Sequence, residues 1–179
     1  MGTLRIPSSL HDVFGAHQSA ASITLVLLAV PIAVLAVLPA LLTVELWRAV
    51  LAALLVADIA AGVVANFTRG TNDHYAVSAK RRAVFIAVHV HLPIVALLLG
   101  LPLFPALIGW ALTIAAGTAV VLLQGSPVQR PAAGLGIVIV LGATALVAEM
   151  TSVLLFITAL FAIKVVLSFA VDHSGATGP

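Results

Sequence analysis

Residues 45–66 read ELWRAVLAALLVADIAAGVVAN, a run of apolar side chains interrupted by Arg48 near its start and by Asp58 in its middle. A bilayer span needs roughly 20 predominantly apolar residues, so the stretch is expected to cross a membrane as one helix. Asp58 lies eight residues before Asn66, about 12 Å in from that end at about 1.5 Å per residue. Asp58, Ala61, Gly62, Ala65 and Asn66 follow the i, i+3, i+4, i+7, i+8 spacing and form one stripe of small and polar residues. Ile59, Val63 and Val64 point elsewhere. Small stripes let helices approach closely, so Asp58 is expected to face protein rather than lipid.

Working outward, the whole chain repeats this vocabulary. Its 179 residues are 63% hydrophobic and 8% charged, against about 25% charged in a soluble domain. Such a chain cannot cover a water-facing surface, but it can cover a lipid-facing one. Six spans are predicted: Ser19–Leu38, Glu45–Asn66, Ala83–Leu99, Pro105–Leu123, Ala132–Met150 and Ser152–Val171. They would use most of the chain and make one membrane domain, an all-α bundle with short loops. Residues 1–18 are a polar and amphipathic lead-in, where Leu10, Val13 and Phe14 could lie on the membrane surface as a helical turn. The first apolar run exceeds the hydrophobic core of a signal peptide and is read as a retained helix. The tail 172–179, DHSGATGP, is expected to be disordered.

Lys and Arg placement orients the bundle. With six spans, Arg5, Arg69, Lys80, Arg81, Arg82 and Arg130 share one side with both termini, and the other side holds Arg48 alone. Both termini are therefore expected in the cytoplasm, at a cell membrane. The Ala-, Val-, Leu- and Gly-rich usage fits a GC-rich bacterial genome and hence an inner membrane. The sequence Asn66-Phe67-Thr68 matches a glycosylation sequon but falls on the cytoplasmic side.

Ionisable groups within spans are costly and usually face the bundle interior. The candidates are Asp58, His89, His91 and Lys164, with Asn66 completing a polar cluster, and three helices place them at one depth. His89 shares a face with Pro93, Ala96 and Gly100, whereas His91 lies roughly 200° away on a regular helix. Pro93 has no N–H, so the His89 carbonyl loses its usual helical partner. Lys164, Ser168 and Asp172 sit four residues apart, and the Lys164 side chain leans away from the cytoplasmic surface. Pairing with Asp58 would offset the burial of both charges. The alternative for each group is structural: a helix-packing hydrogen bond for Asp58, a satisfied kink at His89, a snorkelling lysine. Gly109, Thr113, Ala116 and Gly117, and likewise Gly142, Ala145 and Glu149, read as packing faces. In the second loop Arg69, Thr71, Asn72, Asp73, His74 and Tyr75 could cap a cavity or hold a phosphate or lipid headgroup, or form a solvated turn before a topology anchor, Lys80-Arg81-Arg82.

Several chemistries find no support. The chain has no cysteine, which removes disulfides, thiolate metal sites and thiol nucleophiles. No HxxxH or ExxH spacing, HExxH, serine triad or Gly-rich phosphate loop occurs. Neither a metal nor another cofactor is predicted, and basic residues without interleaved aromatics give no nucleic-acid signature. Six spans and a core poor in aromatics argue against a retinal lysine. The leading expectation is a cytoplasm-facing polar pocket that binds or transports a small molecule or proton. A membrane enzyme acting on a lipid or isoprenoid-like substrate, with Asp58 as general acid or base and His89 beside it, is the alternative. A structural subunit is the third. The expected partners are the bilayer, a small-molecule or proton ligand, and a second copy of the chain in a homo-oligomer.

Overall fold

The computed structural model describes residues 3–76 and 79–173, and the end of the predicted tail, 174–179, lies outside them, as do the side chains of Leu10, Lys80 and Arg81. The chain is all-α, with 77% of it helical. Helices α1 (His11–Phe14), α2 (Ala20–Leu41), α3 (Leu46–Ala65), α4 (Arg69–Ala76), α5 (Ala79–Val88), α6 (His91–Leu99), α7 (Leu103–Leu122), α8 (Gln129–Ala145) and α9 (Ser152–Ala162) follow in order. The last continues as a π-helical stretch, Ile163–Phe169, and α9 denotes the two together, Ser152–Phe169. Four helices, Ala20–Leu41, Leu46–Ala65, Leu103–Leu122 and Ser152–Phe169, are long and apolar enough to cross a membrane, and two shorter apolar ones accompany them, Val84–Leu99 and Gln129–Ala145. This composition points to a membrane location.

The lead-in holds the expected helical turn, α1, within a two-stranded ribbon. Strands β1 (Thr3–Arg5) and β2 (His17–Ser19) pair antiparallel, with Leu4 opposite Gln18. Gly15, at φ +68°, turns the chain back and lies so close to Gly70 of α4 that a Cβ would sit 2.0 Å from the Gly70 carbonyl oxygen. Gln18 Nε2 donates to Thr68 Oγ1 at 2.6 Å, and Thr71 Oγ1 donates to the Val13 carbonyl at 2.6 Å. The ribbon is thereby fastened over the corner between α3 and α4. Ser19 then caps α2, accepting from the Ser22 N–H at 3.0 Å.

Helix α2 buries Val26, Ala33, Val37 and Leu41 on one face and leaves Leu25, Leu27, Leu28, Ile32 and Leu35 exposed. That exposed apolar face suits lipid. Helix α9 is the central post. Leu154, Ile157, Phe161 and Val165 join Val56, Ile59, Leu92, Val95 and Leu99 in one core, with α2, α3, α6 and α7 around it. Gly109 and Gly117 of α7 admit Thr158 and Val165 of α9, since a Cβ on either glycine would come within 2.9 Å of them. The α7 stripe is thus a packing face, as its small residues imply. The α8 stripe is not: Gly142, Ala145 and Glu149 are exposed, and α8 instead buries Gln129, Ala133, Gly136, Val140 and Thr144. Helix α8 also stops at Ala145, short of the predicted Met150. Glu149 takes a left-handed φ of +66°, and Thr151 caps α9 by accepting from the Leu154 N–H at 3.2 Å, so the turn occupies residues that periodicity assigns to a helix.

The segment predicted as the third span is broken. Val90 has φ −98° and ψ 16°, and the chain leaves the helix between Val88 and His91. Pro93 and Trp110 account for this. Without a proline N–H, the His89 carbonyl is free to accept from Trp110 Nε1 at 2.9 Å. Above the break α5 packs chiefly on α4 and α7, whereas below it α6 packs along α3.

Candidate functional site

Where α5 turns away from α3, a cavity of about 480 Å³ opens, lined by Val13, Asp58, Ala61, Gly62, Ala65, Asn66, Tyr75, Val84, Phe85, Val88, His89, His91 and Lys164. The small stripe read from α3 is its wall. Lys164 reaches it from α9 across Gly62, where a Cβ would lie 2.4 Å from the Lys164 Cε. Glycine leaves room there for the lysine stem, which a larger residue would push aside. The ammonium donates to Asp58 Oδ2 at 2.6 Å and lies 3.4 Å from the Asp58 carbonyl. The lysine side chain is 4% exposed, the aspartate side chain 49%. The carboxylate therefore borders the cavity and the lysine is buried behind it.

Both histidines join this centre. His91 Nε2 is 3.5 Å from Asp58 Oδ2, and the His89 and His91 rings are 5.0 Å apart. A regular helix would have held them on opposite faces; the break at His89–Val90 brings them together, which corrects the expectation of divergence. His89 Nδ1 bonds the Phe85 carbonyl, and its ring stacks on Phe85, itself stacked on Phe169 at 3.6 Å. The Lys164 ammonium stands 5.9 Å above the Phe85 ring. Among the described residues, Asn66 Nδ2, His89 Nε2 and His91 Nδ1 are buried at the cavity with no hydrogen-bond partner, and Asn66 and His89 are 4% and 5% exposed.

Residues 67–76 divide between two roles. Tyr75 lines the cavity and packs edge-on against Phe85 and Phe169. Thr71 and Asn72 are buried and structural: Thr71 holds the N-terminal ribbon, and Asn72 Nδ2 donates to the Val171 carbonyl at 3.2 Å. Arg69 and Asp73 are exposed, and the His74 ring meets those of Tyr75 and His11.

The Asn72 bond belongs to a collar around the end of α9. Gln129 Nε2 donates to the Ala170 carbonyl at 3.0 Å and the Val120 carbonyl at 3.2 Å. Arg82, 1% exposed, reaches the Tyr75 and Ala170 carbonyls at 3.3 and 3.4 Å. Burial draws its guanidinium below the ordinary arginine range, and the charge of Asp172 opposes that shift. Helix ends leave carbonyls without partners, and here side chains from α4, α5 and α8 supply them. Arg82, read as a topology anchor, is a buried cap.

The π-helical stretch was not visible in the sequence. Ser168 Oγ donates to the Ile163 carbonyl at 3.0 Å, and the Ala170 N–H to Val165 at 3.1 Å; both span five residues. Such segments often accompany functional sites, and this one begins beside Lys164. At the far end of the bundle Arg48 pairs with Glu45 at 3.5 Å and donates to the Leu97 carbonyl at 2.6 Å. No group of three or more His, Cys, Asp or Glu side chains among the described residues could hold a metal ion. Comparison with known proteins finds no matching family model, no matching curated protein and no matching solved structure.

Proposed function

We propose that this is a six-span membrane protein whose intramembrane cavity binds a small molecule, and exchanges protons with it or transports it. The supporting observation is the Asp58–Lys164 pair, with His91 beside it, at the wall of a cavity of about 480 Å³, within the 300–1,000 Å³ typical of ligand sites. In this reading 83–99 makes the third span, kinked at the His89–Val90 break, and α8 the fifth. The cavity opens toward the side carrying α4 and the N-terminal ribbon, and the lysine and arginine distribution assigns that side, with both termini, to the cytoplasm. Asp58 and His91 are close enough for a proton to pass between carboxylate, imidazole and ligand. Catalysis on a lipid-like substrate, with Asp58 as general base, draws on the same partly exposed carboxylate.

The absence of native cysteine allows a direct test. Single cysteines at Ala61 and Ser126 should react with a membrane-impermeant maleimide added from the cytoplasmic side only, and one at Thr43 from the other side only. A cysteine at the buried Ala52 should stay unreactive. An unreactive Ala61→Cys, or labelling of Ser126→Cys and Thr43→Cys from one side, would overturn the cavity or the span count respectively.

A further inference from the structure

The cavity has two kinds of wall. Asp58, His91, Lys164, Asn66 and His89 supply the polar part, while Val84 and Val88 on α5 line it and are 51% and 57% exposed. Since α5 packs chiefly on α4 and α7, these two valines border a second, lateral opening between α5 and α3, beside the one toward α4 and the ribbon. Asp58 lies midway along α3 yet is half exposed. On the proposed topology Val84 and Val88 lie in the apolar third span, so what lies outside this opening is lipid.

The polar atoms left without partners define the head of a ligand. A carbonyl only accepts, so His89 Nδ1 carries the proton of its bond to Phe85. In the neutral imidazole, Nε2 is then a bare acceptor, buried and unpartnered. Asn66 Nδ2 is a buried, unpartnered donor on the same cavity. Among the described residues the cation at the cavity, Lys164, already has its counter-charge at 2.6 Å, which disfavours an anionic head. Buried polar groups without partners cost free energy, and a hydroxyl, which both donates and accepts, satisfies both kinds.

We infer that the cavity takes a long-chain alcohol, its hydroxyl donated to His89 Nε2 and its chain passing between Val84 and Val88 into the bilayer. The inference rests on the proposed binding role of the cavity and names its ligand class. It accounts for apolar flanks beside an ion pair, which a water-borne polar ligand would leave without purpose.

The Ala61→Cys protein in lipid nanodiscs provides the assay. Dodecanol should slow maleimide labelling, whereas dodecyl phosphate, dodecane and glycerol at the same concentration should not. In the same background His89→Phe, which keeps a ring against Phe85, should raise the half-protecting dodecanol concentration about tenfold, the worth of one hydrogen bond; Asn66→Ala provides a second variant should His89→Phe fail to label normally without ligand. Equal protection by dodecyl phosphate would overturn the neutral head, by dodecane the role of the hydroxyl, and by glycerol the role of the chain. Labelling that no probe slows would overturn the ligand class alone, whereas a cysteine that never labels would overturn the cavity reading on which it rests.

Discussion

The collar around the end of α9 and the cavity beside Lys164 are both polar, both buried and within two helical turns of each other, yet they are built to opposite rules. In the collar Gln129, Asn72 and Arg82 donate to the carbonyls of Val120, Val171, Tyr75 and Ala170, and among the described residues Arg82 Nη2 is the one collar nitrogen left without a hydrogen-bond partner. At the cavity three buried nitrogens of the described residues have none, and about 480 Å³ stands beside them. Buried polar groups in folded proteins are nearly always satisfied. The first region therefore reads as architecture. The second reads as a place that something else completes.

Mutations should separate the two. The largest loss of stability is expected from Asp58→Asn, which leaves the Lys164 ammonium buried without its counter-charge, at a cost of about 3 kcal/mol. Lys164→Met should cost less, about 1 kcal/mol, because the carboxylate it abandons is half exposed. An SDS-unfolding titration of both variants checks the order; equal losses would mean that Asp58 is as buried as its partner. Next, Gln129→Leu removes two buried hydrogen bonds, to the Ala170 and Val120 carbonyls, and should cost about 2 kcal/mol while Ala61→Cys labelling and its protection by dodecanol stay unchanged. Altered protection at constant stability would erase the distinction between collar and cavity. Trp110→Phe removes the donor to the His89 carbonyl and should cost about 1 kcal/mol, with the kink loosened and protection weakened. Smallest in stability, Gly62→Ala displaces the Lys164 stem, a flexible group, for less than about 1 kcal/mol. It should still perturb the site, read as faster labelling of the neighbouring Ala61→Cys; an unchanged rate would mean that Lys164 does not cross at Gly62.

Much of the helical framework was legible in the sequence because lipid imposes a simple requirement on it: long apolar runs with their backbone satisfied internally. The small stripe on α3 was legible too, since helical spacing alone puts Asp58, Ala61, Gly62 and Ala65 on one wall. The convergence of His91 was not. Its placement depends on a break whose only local sign is Pro93, and whose stabilising partner, Trp110, lies seventeen residues further on. The π-helical turn at Lys164 and the ribbon fastened by Gly15 against Gly70 were equally hidden, because both follow from contacts between distant segments rather than from periodicity. The early end of α8 had a sign, Thr151 as a cap, which the apolar run through Val147 and Ala148 outweighed in a reading by hydropathy.

The central claim is that the cavity presents an empty acceptor to a ligand. Nitrogen NMR of the ¹⁵N-histidine-labelled protein in lipid, with His89 assigned through His89→Phe, tests it most directly. The account predicts a neutral His89 ring, protonated at Nδ1 and bare at Nε2, whose Nε2 resonance moves when dodecanol is added while Nδ1 stays in place. A ring protonated at Nε2, or an Nε2 resonance that dodecanol leaves unmoved, would contradict it.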